Sequence, residues 1–456
     1  MYTVVGGGIA GLAAAYRLRS RGHEVRVFEA SDAVGGLAAL YDTAGDPIER
    51  FYHHLSRSEE TIVELADELG VGDRLEWRIG ENAYYLDGVV HPLDKPWEIL
   101  AYPGMSLYDK LRLALLTQGI DVRGGRPRFG TYDDLADFED VPVREFIVEH
   151  TTQGVYDGFF EPLLDAKFGD RVDDVSAAWL LGRVKFRGER DLLRGEVLGY
   201  FDGSVAVLLD ALVDAVGEDV ITTNARVTGL DAGPGGVESV TVETDAGTET
   251  HDTDGVVVAA MPNVLTDLTG YTCAIDFQGA VCAVVTLDEP LTDTYWLNVA
   301  DDAPFGALIE HTNFVPPERY GGDHLLYVAS YVQSPDEPNW TDDDAALRER
   351  WLAGIEDLFP AFDRGAVSAF RIARNPRAAP VYERGYRDAI VPTDLAAAGS
   401  PGVYYAGMAS RAQYPERSLN GGIVAGFEAA DAAVGRTDAA VDRADAAADR
   451  AIDADG

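Results

Sequence analysis

Residues 2–36 read YTVVGGGIAGLAAAYRLRSRGHEVRVFEASDAVGG, and this stretch predicts a complete dinucleotide-binding unit at the start of the chain. Tyr2 to Val5 is an apolar run suited to a buried parallel strand, and it leads directly into Gly6-x-Gly8-x-x-Gly11. Ile9, Leu12, Ala13 and Tyr16 then keep helical spacing, and Gly22 stands where a helix end takes a left-handed residue. A second strand, Val25 to Phe28, ends in Glu29. Gly6 permits the tight turn, Gly8 clears the approach of a pyrophosphate, and Gly11 lets helix and strand pack closely. The unpaired amides and positive dipole end of the helix favour that anion. Glu29 stands about where an acidic residue accepts from a ribose hydroxyl, which argues against a 2′-phosphate there.

The rest of the composition bounds the answer. The 456 residues suffice for two or three domains' worth of core, with 46% hydrophobic content. The formal charge of -41 sets 78 acidic against 37 basic residues, and four of those, Lys95, Lys110, Lys167 and Lys185, are lysines. The acids are spread along the whole chain, a pattern that fits a halophilic cytoplasm, where high salt shortens the Debye length and screens self-repulsion. Such a charge excludes nucleic acid and anionic lipid as electrostatic partners, and leaves a peripheral membrane contact open. Cys273 and Cys282 lie in or near apolar stretches and read as reduced core residues, without the Cys/His spacing of a metal site. No apolar run approaches the roughly 18 residues of a membrane span, and a strand beginning at Tyr2 leaves no room for a signal peptide, so a cytoplasmic protein is expected.

Further along, Ser56-x-x-Glu59 reads as a capping box before an amphipathic helix that stops at Gly70. YYLDGVVHP at 84–92 reads as a hairpin about Asp87-Gly88. A capped helix starts near Ser106, and a helical pattern runs from Val141 to Gly199, including PLLDAKFG at 162–169. Strand patterns return at Val220–Thr222, Ala225–Leu230, Val237–Thr244 and Gly255–Ala260, about the turn Gly233-Pro234-Gly235-Gly236. Ala280–Leu287, Tyr295–Val299, Phe305–His311, Leu325–Val332 and Val367–Ala373 predict a second sheet, with a helix over Asp342–Leu358.

Beyond Glu29, after five intervening residues, the doublet Gly35-Gly36 makes the N-terminal unit resemble the large two-dinucleotide-binding-domain flavoprotein superfamily, whose dinucleotide is FAD. VYYAGMASRAQYPERSLNGGIVAGFEAA, residues 403–430, resembles the second FAD motif of its amine oxidase, protoporphyrinogen oxidase and phytoene desaturase group, and the chain is most similar to the protoporphyrinogen-oxidase-like branch. The resemblance implies an α/β fold, with a Rossmann-like FAD-binding domain over residues 1–75, 201–265 and 386–436. A discontinuous substrate domain of mixed β-sheet plus helices would occupy 76–200, the helical part, and 266–385, the sheet; 437–456 is an acidic, Ala-rich tail. It further implies cofactor contacts from Gly6, Gly8, Ile9, Ala10, Gly11, Glu29, Ala30, Gly35, Gly36 and Leu37. Val227 would meet the adenine through its backbone, Gly407 and Met408 would take the strand-end role, and Leu419 and Asn420 would begin a helix aimed at the flavin pyrimidine edge. Met408 departs from the Asp usual after the strand-end glycine, so a side-chain contact to the ribityl or phosphate region is lost.

The chemistry implied is hydride transfer from a small, largely apolar or conjugated substrate to flavin N5, which asks the protein to orient the substrate and sometimes to take a proton. His53 and His54 are candidate proton carriers or structural histidines. Lys167 could hold a flavin-adjacent water, an anionic substrate or a neighbouring Asp. Tyr414 could wall the substrate cavity, with Arg417 meeting a carboxylate or phosphate or pairing within its own loop. Trp97, Tyr102 and the Ser106 helix offer an apolar entrance or plain core. Two alternatives stand beside the oxidase or desaturase reading: a non-redox, flavin-dependent isomerase resembling UDP-galactopyranose mutase, and a non-catalytic binding protein resembling the GDP-dissociation inhibitors.

Overall fold

The computed structural model describes residues 1–117, 135–186, 190–191, 194–233 and 235–435; Pro234 of the expected turn and the 437–456 segment lie outside them. Strand β1 (Tyr2–Val5), helix α1 (Ile9–Ser20) and strand β2 (Val25–Phe28) form as the sequence predicts, and Gly22 adopts φ +85° past the end of α1. β1 is the centre of a five-stranded parallel sheet in the order Ile221–Thr222, β2, β1, Gly255–Val258, Val403–Tyr405. A parallel sheet covered on both faces requires near-continuous apolar strands, and YTVV, GVVV and VYY are buried throughout. Three distant parts of the chain therefore meet in one layer, the order of a Rossmann-like sheet.

Small residues set how closely the covering helices approach. A Cβ on Gly426, in the closing helix 419–435, would stand 2.3 Å from the Ala10 carbonyl oxygen of α1. Ala14, Ala15, Ala425, Ala429 and Ala433 share one core against Val4, Val27 and Val257. The antiparallel meander over Ala225–Gly233, Gly236–Thr244 and Gly247–Asp252 is fastened to β2 where the Ala225 amide donates to the Glu29 carbonyl at 2.9 Å.

The second sheet has seven strands, in the order Val367–Pro380, Phe277–Leu287, His324–Val332, Ala307–Glu310, Trp296–Val299, Asn82–Leu86, Val89–Pro92. Its Asp344–Leu358 helix buries Leu347, Trp351, Leu352 and Ile355 against Val281, Val285 and Val328. The hairpin turns through Asp87 (φ +53°) and Gly88 (φ +75°), as its sequence demands. The hairpin is not isolated within a helical segment: Asn82–Leu86 joins this sheet through parallel pairing to Trp296–Val299.

Two local expectations change. Gly195–Phe201 is a strand paired with Leu75–Gly80, where the pattern predicted helix through Gly199. A Cβ on Gly199 would come within 2.9 Å of the Trp77 ring, so the glycine makes room for a cross-strand tryptophan. Helix α2 runs over Glu60–Glu68 and starts later than the Ser56 box implies. The Ser56 amide does donate to Glu59 Oε2 at 2.7 Å, but the α2 amide of Ile62 is capped from far away by Asn420 Oδ1, at 2.8 Å.

Candidate functional site

The first half of the site is the turn between β1 and α1. Gly6 has φ +104°, and its Cβ would lie 2.5 Å from the Ala259 carbonyl oxygen; a Cβ on Gly11 would lie 1.9 Å from the Gly6 oxygen. Both are glycine because backbone fills the space. Gly8 differs. Its φ of -73° and ψ of 177° suit any residue, and its Cβ would meet nothing nearer than 3.8 Å. Nothing in the chain therefore requires glycine at Gly8, while a ligand approaching the helix N-terminus does. Gly8 supplies no side-chain cap and the first turn of α1 carries no acid, so its leading amides remain available to an anion.

Glu29 closes the cradle. Its carboxylate accepts from the Gly7 amide at 2.7 Å, the Ser31 amide at 2.8 Å and the Ser31 hydroxyl at 2.6 Å, and a carboxylate with four lone-pair positions retains capacity for a ribose. Ala30 follows it, and the glycine doublet faces it: the Gly35 amide donates to the Gly7 carbonyl at 2.9 Å, and Gly35 and Gly36 take φ of +116° and +58°. Leu37 continues into a short turn over Gly36–Ala38. Val227 is buried in the meander, beside an irregularity in its pairing before Gly229. The C-terminal residues arrive on the other side of the sheet centre. A Cβ on Gly407 would stand 2.1 Å from the Ala260 carbonyl oxygen, so the turn after Val403–Tyr405 needs glycine, and half-buried Met408 follows it.

Ser418 caps the closing helix by accepting from the Gly421 amide at 3.0 Å, which puts Leu419 and Asn420 in its first turn. Because Asn420 Oδ1 caps α2, Asn420→Ala is expected to lower stability by about 1 kcal/mol, read from denaturant midpoints. An unchanged midpoint would show that solvent replaces this cap.

The second half of the site is a buried charged chamber. Lys167 lies on the helix Glu161–Phe168 and donates to Glu416 Oε1 at 3.0 Å. Glu416 Oε2 accepts from Trp179 Nε1 at 2.7 Å and from Arg183 at 2.9 Å. The ion pair thus forms with Glu416 of the YPE loop and not with a nearby Asp. The Lys167 ammonium sits 4.7 Å from the centre of the Trp179 ring and 5.4, 5.8 and 5.9 Å from those of Phe168, Tyr331 and Tyr382. Burial lowers its pKa, with Arg183 and Arg417 adding to the effect against Glu416. Burial works to raise the Tyr331 hydroxyl, but Lys167, Arg417 and Arg183 outweigh it and hold it below the ordinary phenol range.

The loop carrying Glu416 and Arg417 is pinned from three directions. The Arg417 amide donates to the Tyr382 hydroxyl at 2.7 Å, the Ser418 amide donates to Gln413 Oε1 at 2.9 Å, and Pro415 packs against Gly182, whose Cβ would come within 2.3 Å of the proline ring. Gly182 thereby lets the helix bearing Trp179 and Arg183 reach the loop.

Of the other candidates, His53 joins this chamber and Tyr414 does not. His53 Nδ1 pairs with the Phe51 carbonyl at 2.6 Å, and burial together with the Arg417 charge lowers its pKa to about 4, so it is neutral near pH 7. The unfolded chain binds the proton more tightly, so this histidine stabilises the fold fully above pH 6.5 and loses that contribution as pH falls toward about 4. The difference in unfolding free energy between wild type and His53→Gln is expected to shrink over that range, and a difference constant with pH would contradict it. His54 Nδ1 pairs with the Tyr295 hydroxyl at 3.1 Å, and its ring lies edge-on to Trp296. The Tyr414 hydroxyl donates to Glu139 Oε2 at 2.5 Å and its ring stacks on Tyr386, apart from Lys167 and Glu416. Tyr102 is buried and bonded to the Gly158 carbonyl, whereas Trp97, Leu107, Tyr108 and Leu111 are exposed. Trp179, Arg183, Tyr331, Tyr52 and Tyr382 were not foreseen. The i, i+4 spacing of Trp179 and Arg183, whose guanidinium lies 5.3 Å from the ring centre, was the one local signal available.

The parallel sheet, the acid after its second strand and the open N-terminus of α1 are the parts of a Rossmann-like fold. Residues 9–434 match the family model for flavin containing amine oxidoreductases, and the chain belongs to that family. It is a flavin-dependent oxidoreductase, and neither the isomerase nor the binding-protein reading is needed to account for it. It is 28% identical over 437 residues to coproporphyrinogen III oxidase of Mycobacterium tuberculosis, covering 88% of this chain and 92% of that one. A solved structure from Exiguobacterium named for protoporphyrinogen oxidase matches with a TM-score of 0.74 at 18% identity, over 94% of this chain and 98% of that one. Reduced UDP-galactopyranose mutase matches with a TM-score of 0.70 at 16% identity over 95% of each chain, which shows a shared fold alone. Among the described residues no helix is long and apolar enough to cross a membrane.

Proposed function

We propose that this flavoenzyme binds FAD and oxidises a largely apolar or conjugated small molecule in a salt-rich cytoplasm. The observation that carries the cofactor reading is Gly8, a glycine demanded by neither backbone angle nor packing at the N-terminus of α1. Gly6, Gly8, Ile9, Ala10 and Gly11 would hold the pyrophosphate, Glu29 and Ala30 the ribose, and Val227 the adenine. Gly35, Gly36, Leu37, Gly407, Met408, Leu419 and Asn420 would line the remainder. When bound, FAD supplies a hydride acceptor whose reduced form carries negative charge, which the N-terminus of the helix 419–435 favours. The chain's own part is to bind and orient the substrate and exclude water, with His53, held neutral beside Arg417, available as a hydrogen-bonding partner. The exposed patch of Trp97, Leu100, Leu107, Tyr108 and Leu111 supports a peripheral contact with a lipid surface that would deliver an apolar substrate.

The test is an absorbance spectrum of protein purified in multimolar salt, followed through anaerobic photoreduction and readmission of air. Bound flavin that bleaches and recovers rapidly in air supports an oxidase, and slow recovery a desaturase with another acceptor. Protein that stays colourless after incubation with FAD would refute the reading.

A further inference from the structure

Resting on that flavoenzyme reading, the geometry points to an anion-binding subsite at Arg417, which takes a carboxylate or phosphate group carried by the substrate. The chamber gathers three cations, Lys167, Arg183 and Arg417. The first two are answered by Glu416. Glu196, the next carboxylate to act on Arg183, is drawn toward Asn82 Nδ2 at 3.4 Å.

Arg417 is different. Its backbone amide is bonded to Tyr382, but its guanidinium makes no ion pair among the described residues, and its Nε is buried with no partner. A buried guanidinium nitrogen without a partner is costly, which favours an anion that reaches it from outside the chain. The guanidinium fork matches the two oxygens of a carboxylate or phosphate, and Arg does this better than Lys.

The surroundings suit the same ligand. Tyr331, Tyr382 and Tyr52 act most strongly on Arg417, ahead of the Glu416 carboxylate that is already shared by Lys167 and Arg183, and His53 stands beside it in its neutral form. Tyr52 and Tyr331 share a hydrogen bond, and their hydroxyls can turn to donate to an anion. The positive field that holds the Tyr331 hydroxyl below the ordinary phenol range favours any second negative charge placed there. It equally repels an ammonium group. The part-exposed rings of Tyr52 and Tyr331 beside Arg417 would carry the apolar body of the molecule while Arg417 holds its acidic end.

Calorimetric titration of the purified protein with benzoate, phenyl phosphate and benzylamine tests this, because it needs no turnover. The expected result is binding of benzoate or phenyl phosphate, no measurable binding of benzylamine, and at least about a tenfold loss of anion affinity in Arg417→Met, with Arg417→Lys between the two. Tighter phenyl phosphate than benzoate would assign a phosphate, and the reverse a carboxylate. Equal binding of benzylamine in the wild type, no binding of either anion, or unchanged anion binding in Arg417→Met would each overturn the proposal. The wild-type comparison stands if the Arg417 variants do not fold. Flavin content, read separately from the absorbance of the same protein, distinguishes the two failures: coloured protein that ignores both anions refutes the subsite alone, and protein that takes up no flavin refutes the FAD reading.

Discussion

Glu416→Ala is expected to destabilise the protein by about 3–5 kcal/mol, the range seen when one partner of a buried ion pair is removed. The carboxylate receives Lys167 at 3.0 Å, Arg183 at 2.9 Å and the Trp179 indole at 2.7 Å. Its removal leaves buried Lys167 and part-exposed Arg183 facing one another and an indole N–H without an acceptor. The loss comes from uncompensated charge, so Glu416→Gln should show most of it: the amide still offers one acceptor to Trp179 but carries no charge for Lys167 and Arg183. A native fold is stabilised by roughly 5–15 kcal/mol in total, so the alanine variant lies near the limit of folding. High salt will rescue it less than it would a surface pair, because ions screen buried charges poorly. Denaturant titration in multimolar salt provides the comparison, and midpoints of Glu416→Ala and wild type that coincide would show that solvent reaches the chamber.

The N-terminal unit was legible because its determinants are local. The glycines of Gly6-x-Gly8-x-x-Gly11 lie within six residues of one another, although Gly6 answers to distant Ala259 and Gly8 to no atom of the chain, and Glu29 follows β2 where the pattern put it. The start of the closing helix was legible through the resemblance carried by residues 403–430, and Ser418 caps it there. The chamber was not. Lys167, Glu416 and Tyr331 come from three elements far apart in sequence, and no spacing rule joins a lysine on one helix to a glutamate 249 residues later. The partner of Tyr414 was hidden for the same reason: Glu139 lies 275 residues upstream. The strand at Gly195–Phe201 was hidden because Gly199 answers to Trp77 on the facing strand, and Gly195 to Ile79 there and to Asp94, and not to a pattern of their own. Asn420 shows a residue with two readings at once, placed by its own helix at the expected cofactor edge while its side chain caps another.

Two glycines three positions apart should separate folding from cofactor binding. In Gly11→Ala the new methyl would stand 1.9 Å from the Gly6 oxygen and 3.3 Å from the Ala259 Cβ, and none of these atoms can retreat without parting α1 from the central strands. Overpacking of this kind costs about 1–3 kcal/mol where a core can yield and more where backbone is struck, so this variant is expected to lose stability whether or not flavin is present. Gly8→Ala meets no such obstacle, since its backbone angles are ordinary and the nearest atoms lie at 3.8 and 4.0 Å. The methyl instead occupies the space across which a pyrophosphate must approach the α1 amides. Flavin-free Gly8→Ala should therefore unfold at the wild-type midpoint while binding flavin at least about tenfold more weakly, a loss of ~1.4 kcal/mol or more. Equilibrium binding of FAD to stripped protein and denaturant titration of the same samples measure the two effects independently. Undiminished flavin affinity in Gly8→Ala would mean that the dinucleotide does not pass over this turn, and the role assigned to the N-terminus of α1 would have to be abandoned.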